Sequence, residues 1–137
     1  MAGKILLEVV TPEKQLLSQQ VDEVIAPGAE GEFGVLPGHC HFLSTLRIGE
    51  LRYRVGDRTD HMAILWGYAE VTPTKVTVMA EIAEKAEDID VSRAQAALAK
   101  AEQRLKAGGL PSEVKEAEIS LEKARLRMKL AQRAGKS

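Results

Sequence analysis

Apolar and polar residues alternate in short runs over residues 1–86, and turn-forming residues separate these runs. Strict alternation over four to eight residues is typical of a half-buried β-strand. Since the turns recur every eight to twelve residues, the pattern predicts an antiparallel β-sandwich or flattened barrel. The predicted strands cover residues 4–10, 15–18, 21–26, 46–55, 61–72 and 75–80.

The spacing of apolar residues changes to alternate steps of three and four from Asp90 onward. This spacing places apolar side chains along one stripe of a helix that packs on one partner helix. We expect Asp90 to cap the first helix, Gly108 to end it and Ser112 to cap a second. The stripe residues are Val91, Ala94, Leu98, Ala101 and Leu105, then Val114, Ala117, Leu121, Ala124, Met128 and Ala131.

The predicted fold class is therefore α+β, with a β-sandwich domain over residues 1–86 and an antiparallel two-helix hairpin over residues 87–137. Five of the eleven stripe positions are alanine. An alanine buries much less apolar surface than the leucine or valine side chains, each of which stabilises by about 1.5 to 3 kcal/mol. We expect the closed hairpin to be only marginally packed and able to open.

Residues 25–46 interrupt the alternation with four glycines and two prolines. Glycine accepts a positive φ that other residues resist, and proline fixes φ beside it. We expect Pro27-Gly28 and Pro37-Gly38 to form two turns of a compact loop between strands. Such loops often carry function, although the glycines would also suit plain tight β connections.

The net charge of −1 gives no whole-chain argument for nucleic-acid binding. Residues 1–87 carry eight Lys or Arg against thirteen Asp or Glu, whereas residues 88–137 carry eleven against seven. A single cysteine, Cys40, cannot form an internal disulfide and fits a reducing compartment. The apolar runs fall short of the ~20 residues of a membrane-spanning helix, and we expect no targeting segment.

The triplet His39-Cys40-His41 is a candidate metal or nucleophile site. A strand would place the two histidines on one side and Cys40 on the other, and no further clustered ligand completes a four-ligand zinc site. An enzyme built around Cys40 would have only the distant His61 as a further base. The sequence therefore favours neither chemistry, and we expect no metal.

The motifs GEFGVLPGHCHFLSTL, IGELRYRV and WGYAEVTPTKVTVMAEIAEKAEDID occur in this order. With the Ile89-Asp90-x-x-Arg93-Ala94 entry to the helices, the chain resembles the epsilon subunit of the F-type ATP synthase over residues 4–137. The resemblance implies a non-catalytic rotor subunit of the proton-translocating complex that links gamma to the c-ring. It also implies a location on the cytoplasmic face of the inner membrane, with membrane contact only through the complex.

The resemblance implies two docking sites on the predicted sandwich. The glycine-rich segment would contact the polar loops of the c-ring, and His39 would lie near gamma. Cys40 and His41 depart from the small residue and proline usual there. Without the resemblance, Glu30 and Glu32 are ordinary solvated carboxylates. The implied contact residues are Gly28, Glu30, Gly31, Glu32, Gly34 and His39.

The resemblance also implies that the hairpin binds a regulatory ATP, although no cofactor is required. From the residues alone, Asp90 is a helix cap and Arg93 a surface residue. Lys100 stands where some nucleotide-binding members have Arg, and a lysine lacks the planar fork of Arg. No phosphate-binding loop of the Walker type is present. The implied ATP residues are Glu84, Ile89, Asp90, Arg93, Ala94, Lys100, Lys123 and Arg127.

The last fifteen residues, 123–137, are basic and contain no acidic residue. From the residues alone, this is a solvated helix end that suits the negative end of the helix dipole. By resemblance it would meet the catalytic alpha and beta subunits when the hairpin extends, and would inhibit ATP hydrolysis. The implied contacts are Lys123, Arg125, Arg127 and Lys129. The alternative function is a stand-alone β adaptor whose basic helices bind RNA, with an affinity that falls steeply with salt.

Overall fold

The computed structural model describes residues 3–39 and 41–135, which form eight strands and two α-helices. The strands are β1 (Ile5–Val10), β2 (Gln15–Val21), β3 (Glu23–Gly28), β4 (Gly31–Val35), β5 (Phe42–Leu46), β6 (Gly49–Val55), β7 (Arg58–Val71) and β8 (Lys75–Lys85). The helices are α1 (Val91–Ala107) and α2 (Pro111–Arg133), and a 3-10 turn at Ala86–Asp88 precedes them.

The strands hydrogen-bond in the order β2-β1-β8-β7-β5-β3-β4, and β6 pairs with both β3 and β7. Each of these pairs is antiparallel except that of β1 with β8, which is parallel. A sandwich-type sheet followed by two helices confirms the predicted fold class. The parallel pair was not predicted, because β1 and β8 lie at opposite ends of the domain sequence.

One apolar core fills the sandwich, and the alternation seen in the sequence selects its members. The sequence alternation of β6 predicts Leu51 and Tyr53 on one face and Arg52 and Arg54 on the other, and in the structure the first two are buried whereas the arginines are not. The largest fully buried side chains of this core are Ile5, Leu7, Leu51, Met62, Ile64, Val9, Val21, Val24, Val35 and Val71. At roughly 1.5 to 3 kcal/mol for each such side chain, this core is the main source of the unit's stability.

The long strand β7 changes the face it turns to the core at Trp66. Before Trp66 the core residues are Met62 and Ile64, and after it they are Ala69 and Val71. Trp66 has φ 61°, a left-handed conformation that is uncommon for a residue with a side chain. The kink shifts the alternation by one residue, so β7 contributes to both layers of the sandwich.

The glycine-rich segment is not the predicted loop, because most of it is extended. Pro27-Gly28 is not a turn: both residues belong to β3, where Pro27 pairs with Glu32 and Gly28 with Gly31. The carbonyl oxygen of Pro27 accepts a hydrogen bond from the Arg47 N–H at 3.0 Å. In an antiparallel strand the N–H and C=O of one residue point to the same side. The N–H that proline lacks would therefore point toward the break between β5 and β6, and not toward a continuous neighbouring strand, so proline is tolerated at this position.

Two other boundaries differ from the sequence prediction. The strand predicted over residues 46–55 is broken at Arg47 and Ile48 into β5 and β6. Ser112 does not cap the second helix, since Leu110 is the N-cap residue and Pro111 the first helical residue. The Glu113 carboxylate accepts a hydrogen bond from the Leu110 N–H at 3.0 Å, as the third helical residue does in a capping box.

The chain divides into two compact units, one ending at Lys85 and the other beginning at Ala86. In the second unit Asp90 caps α1 as predicted, because its carboxylate accepts from the Arg93 N–H at 3.1 Å. Gly108 ends α1 with φ 70°. α1 and α2 therefore form the predicted helical hairpin.

Candidate docking surfaces and helical hairpin

Five of the six predicted contact residues on the sandwich lie on one hairpin, formed by β3 and β4 around the turn Ala29–Glu30. A Cβ on Gly28 would lie 2.6 Å from the carbonyl oxygen of Gly31, so this position requires glycine. Gly31 has φ 131°, which also favours glycine. The hairpin therefore has a narrow tip with little side-chain bulk and carries Gly28, Glu30, Gly31, Glu32 and Gly34.

A chain of charged side chains runs from Glu32 on this hairpin to His61 on β7. The Arg52 guanidinium contacts Glu32 through two nitrogens, at 3.1 and 3.4 Å, and Glu50 at 3.2 Å. The second oxygen of Glu50 lies 2.8 Å from His61 Nδ1. Burial opposes the charge of Arg52, but hydrogen bonds to Glu32 and Glu50 outweigh it and raise the Arg52 pKa. Glu50, 4% exposed, is a buried carboxylate that the sequence reasoning missed.

His39, the sixth predicted contact residue, lies beyond β4 in a separate turn. The turn at Pro37-Gly38 occurs as predicted, and the Gly38 N–H donates to the carbonyl oxygen of Pro73 at 2.8 Å. The His39 ring lies 5.3 Å from the Phe42 ring, which in turn packs edge-on against Phe33 on β4 at 5.1 Å. The aromatic contacts connect the His39 turn to the hairpin.

An apolar patch lies on the outer face of β5, β7 and β8, where Leu43, Tyr68 and Met79 are 68%, 53% and 40% exposed. Tyr68 is paired across the strands with Met79 on one side and Thr45 on the other. We call Leu43, Tyr68 and Met79 the outer apolar surface. It adjoins an apolar cavity of about 590 Å³ that is also lined by Trp66. Contiguous exposed apolar surface often marks a protein contact.

Sequence reasoning missed the outer apolar surface, although a signal for it was present. In the run Gly67-Tyr68-Ala69-Glu70-Val71, the apolar residues Ala69 and Val71 alternate with Tyr68 and Glu70 and fit a face turned to the core. Alternation would then have turned Tyr68 outward together with Glu70, and both are exposed.

The two helices pack through small side chains. The buried residues of α1 are Ala94 and Ala101, and those of α2 include Ala117 and Ala124. Arg104 Nη2 lies 3.4 Å from the Glu116 carboxylate near the connecting turn. Since Glu116 is largely exposed and Arg104 partly so, this ion pair contributes little, at most about 1 kcal/mol. The buried residues of the two helices are thus alanines, with Leu130 as the one large buried side chain among the described helical residues.

Within the described part of the chain, no group of three or more His, Cys, Asp or Glu could hold a metal ion. Cys40 lies outside the described residues. In the same part of the chain, no helix is both long and apolar enough to span a bilayer.

Comparison with known families decides among the remaining interpretations. The β-sandwich domain of the ATP synthase delta/epsilon chain matches residues 4–86, and the long α-helix domain of the same chain matches residues 87–132. This chain belongs to the ATP synthase delta/epsilon family. Among its relatives is the ATP synthase epsilon chain of Syntrophobacter fumaroxidans, 53% identical over 97% of this chain and 99% of that protein. The corresponding chain of Geobacter metallireducens is 52% identical over 96% of each.

Chains in solved ATP synthase structures share this fold. A chain of the Euglena gracilis mitochondrial ATP synthase, solved with OSCP, F1 and the c-ring, matches with a TM-score of 0.82 and 25% identity. The match covers 96% of this chain and 83% of that one. A chain of the Tetrahymena thermophila central stalk and c-ring shares the fold alone, with a TM-score of 0.61, 15% identity, and coverage of 93% and 96%. The resemblance to epsilon is confirmed, and the RNA-binding alternative gains no support.

The residues implied for ATP binding in this epsilon-type chain fall into three groups. Ile89 and Ala94 are each 3% exposed, and Asp90 caps α1, so these three have structural roles. Arg93 and Lys100 are exposed on α1. The remaining three are Glu84 on β8 and the half-buried Lys123 and Arg127 on α2. The ATP site stays a prediction.

The basic residues implied for contact with catalytic subunits all lie on α2. Arg125 and Lys129 are exposed, whereas Lys123 and Arg127 are half-buried. Lys136, at the end of the basic stretch, lies outside the described residues. Whether this epsilon-type chain uses these charges for contact stays a prediction.

Proposed function

We propose that this chain is a central-stalk subunit that links gamma to the c-ring through residues 1–86 and limits ATP hydrolysis through residues 87–137. Family membership is the observation that carries the proposal. Two surfaces of different chemistry on one sandwich support the linking role. The alanine-packed helices support the regulatory role.

The tip of the β3–β4 hairpin docks on the c-ring. It carries two carboxylates, Glu30 and Glu32, beside glycines whose backbone a partner can approach closely. A partner with polar loops suits such a tip, because its N–H and O–H groups can donate to the carboxylates and to main-chain carbonyls.

The outer apolar surface, with His39, docks on gamma. Tyr68 supplies a large apolar ring with a polar end, as is frequent in protein interfaces. Substituting Tyr68→Glu would place a charge at the centre of this surface. We expect this variant to bind gamma at least roughly tenfold more weakly, measured as the dissociation constant for purified gamma.

A matched control adds a charge elsewhere on the sandwich. Gln20 is exposed on β2 and lies outside the outer apolar surface. The Gln20→Glu variant should bind gamma like the unmodified chain. Equal binding of the Tyr68→Glu variant would contradict the assignment of this surface to gamma.

The helical hairpin acts as a two-state element. Closed, it permits turnover; extended, it places Lys123, Arg125, Arg127 and Lys129 among acidic segments of the alpha and beta subunits. The alanine seam makes opening inexpensive, since small side chains bury little apolar surface. A regulatory ATP bound to the closed form would shift the balance only by its differential affinity for the two states.

Inhibition is tested with the four basic residues replaced by glutamine in the assembled complex. ATP hydrolysis should rise relative to the unmodified complex, because the extended arm loses its attraction to the catalytic subunits. The control replaces Lys106 and Lys115, which are exposed near the helix connection, and should leave hydrolysis unchanged. Equal hydrolysis by all three complexes would remove the inhibitory role.

In the assembled enzyme this proposal places the chain on the cytoplasmic face of the inner membrane. The chain itself would be held there by gamma and the c-ring. Washing membranes that lack gamma should then release it, while membranes with an intact rotor should retain it.

A further inference from the structure

The side chain of Arg52 reaches across one strand to join two others. Arg52 lies on β6 and pairs with Ile25 of β3, and Glu32 lies on β4, on the far side of β3. The guanidinium contacts both carboxylate oxygens of Glu32, at 3.1 and 3.4 Å. Two parallel N–H donors fix the plane of a carboxylate as well as its position.

Arg52 is itself held from the other side. Its Nη1 also contacts the buried Glu50 at 3.2 Å, and Glu50 is 2.8 Å from His61 Nδ1. A long exposed arginine normally loses considerable rotamer freedom when it forms an ion pair, and this cost makes most surface pairs weak. Here the buried Glu50 carboxylate already restricts the Arg52 side chain, so its contact with Glu32 costs less rotamer freedom.

We propose that Arg52 is a positioning residue for docking, which holds the Glu32 carboxylate in a fixed orientation at the β3–β4 hairpin. The inference rests on the proposed docking of this hairpin to the c-ring. Because Arg52 already supplies a positive charge, the remaining lone pairs of Glu32 suit uncharged N–H and O–H donors better than a second cation. The partner surface would accordingly be a polar loop with amide or hydroxyl donors.

A double-mutant cycle on the full chain tests this role, with the purified c-ring as the binding partner. Glu32→Gln and Arg52→Gln should each weaken binding roughly three- to tenfold. If Arg52 acts through Glu32, the double variant should bind no more weakly than Glu32→Gln alone. Arg52→Lys keeps the charge without the planar fork and should restore only part of the affinity.

Arg54 provides the matched control. It occupies the next position on the same side of β6 and forms ion pairs of its own with Asp22 and Glu23, at 3.8 and 3.6 Å. Arg54→Gln removes an arginine and its ion pairs but does not involve Glu32. It should leave c-ring binding unchanged.

The outcomes separate the two levels of the proposal. Weaker binding of Glu32→Gln with no change in Arg52→Gln would overturn the positioning role and leave docking intact. If Arg52→Gln weakens c-ring binding equally with Glu32 and with Gln at position 32, the positioning role is also overturned. An effect that does not depend on Glu32 indicates a general structural change. If neither variant changes binding, both the positioning role and docking through Glu32 are overturned.

Discussion

A side chain at Gly67 would overlap the main-chain carbonyl oxygen of Met79 on the neighbouring strand. The added Cβ would also lie 2.8 Å from the Cα of Ala80, and Gly67 has φ 151°. Both neighbours belong to the backbone and cannot move aside as a flexible side chain could. The β7–β8 pair therefore depends on glycine at this position.

Gly67→Ala should lower the free energy of unfolding by roughly 3 kcal/mol or more, through overlap and the strained φ. Urea denaturation followed by Trp66 fluorescence measures this change. Gly34→Ala is the control, since its Cβ would meet atoms only at 4.0 Å. Its effect should stay within about 1 kcal/mol. Equal denaturation midpoints for the two variants would contradict the prediction.

The ionisation of Asp22 should make the stability of the sandwich depend on pH in the acidic range. A hydrogen bond from the Gly56 N–H at 2.7 Å and an ion pair with Lys4 at 2.9 Å lower the pKa of Asp22. A lowered folded-state pKa means that the stabilisation is complete above the ordinary aspartate pKa of about 3.9 and is lost as pH falls through the folded-state value.

The Asp22→Asn variant tests this acid dependence. It should be less stable than the unmodified chain at neutral pH, and the difference should shrink below about pH 4 as Asp22 becomes protonated. Thermal unfolding between pH 2 and 7 measures it. Asp57→Asn, an exposed change in the adjoining turn, should show no such convergence. A difference between Asp22→Asn and the unmodified chain that persists unchanged at pH 2 would argue against the assignment.

Two substitutions of Asp90 distinguish its capping of α1 from an effect of its negative charge. Asp90→Ala should cost about 1 kcal/mol of helix stability, because the Arg93 N–H loses its acceptor. Asp90→Asn keeps an acceptor oxygen and should retain most of that stability. Hydrogen exchange of the first-turn amides of α1 reports both. If the Asn variant loses ATP binding while keeping exchange protection, the carboxylate charge serves the nucleotide as well as the helix.

Enlarging a seam alanine should loosen the helical hairpin. Ala124 is 1% exposed, so Ala124→Leu must push the helices apart and should cost about 1 to 3 kcal/mol. Amide exchange in α1 and α2 should accelerate in the full chain. Ala97→Leu, on the exposed side of α1, adds the same atoms without contact to the seam and should leave exchange unchanged. Unaltered exchange in Ala124→Leu would show that the seam is not closely packed.

Local periodicity was sufficient to predict a β-sandwich followed by a two-helix hairpin. The helix seam was predicted because the steps of four and three residues from Ala94 to Leu98 and from Leu98 to Ala101 depend only on the helix itself. The Pro27-Gly28 turn was wrong, since the partners that keep these residues extended are Glu32 on β4 and Arg47 in the segment between β5 and β6. A dipeptide carries no information about such partners.

Glu50 shows a second reason for incomplete prediction. Alternation places it opposite Leu51, on the outer face of the sheet, and the structure agrees with that side. Its burial could not be read from the pattern, because a carboxylate is tolerated there only with Arg52 and His61 beside it. Arg52 was likewise predicted to be an outward residue, but its contact with Glu32 requires knowledge of the strand order.

The kink at Trp66 has a mechanical consequence. Since one continuous strand serves both layers of the sandwich, a sideways load on either layer passes to the other along covalent backbone as well as through side-chain contacts. The layers cannot slide past each other without tearing the β7–β8 ladder. A domain joined in this way can carry torque between two neighbours while keeping its own shape.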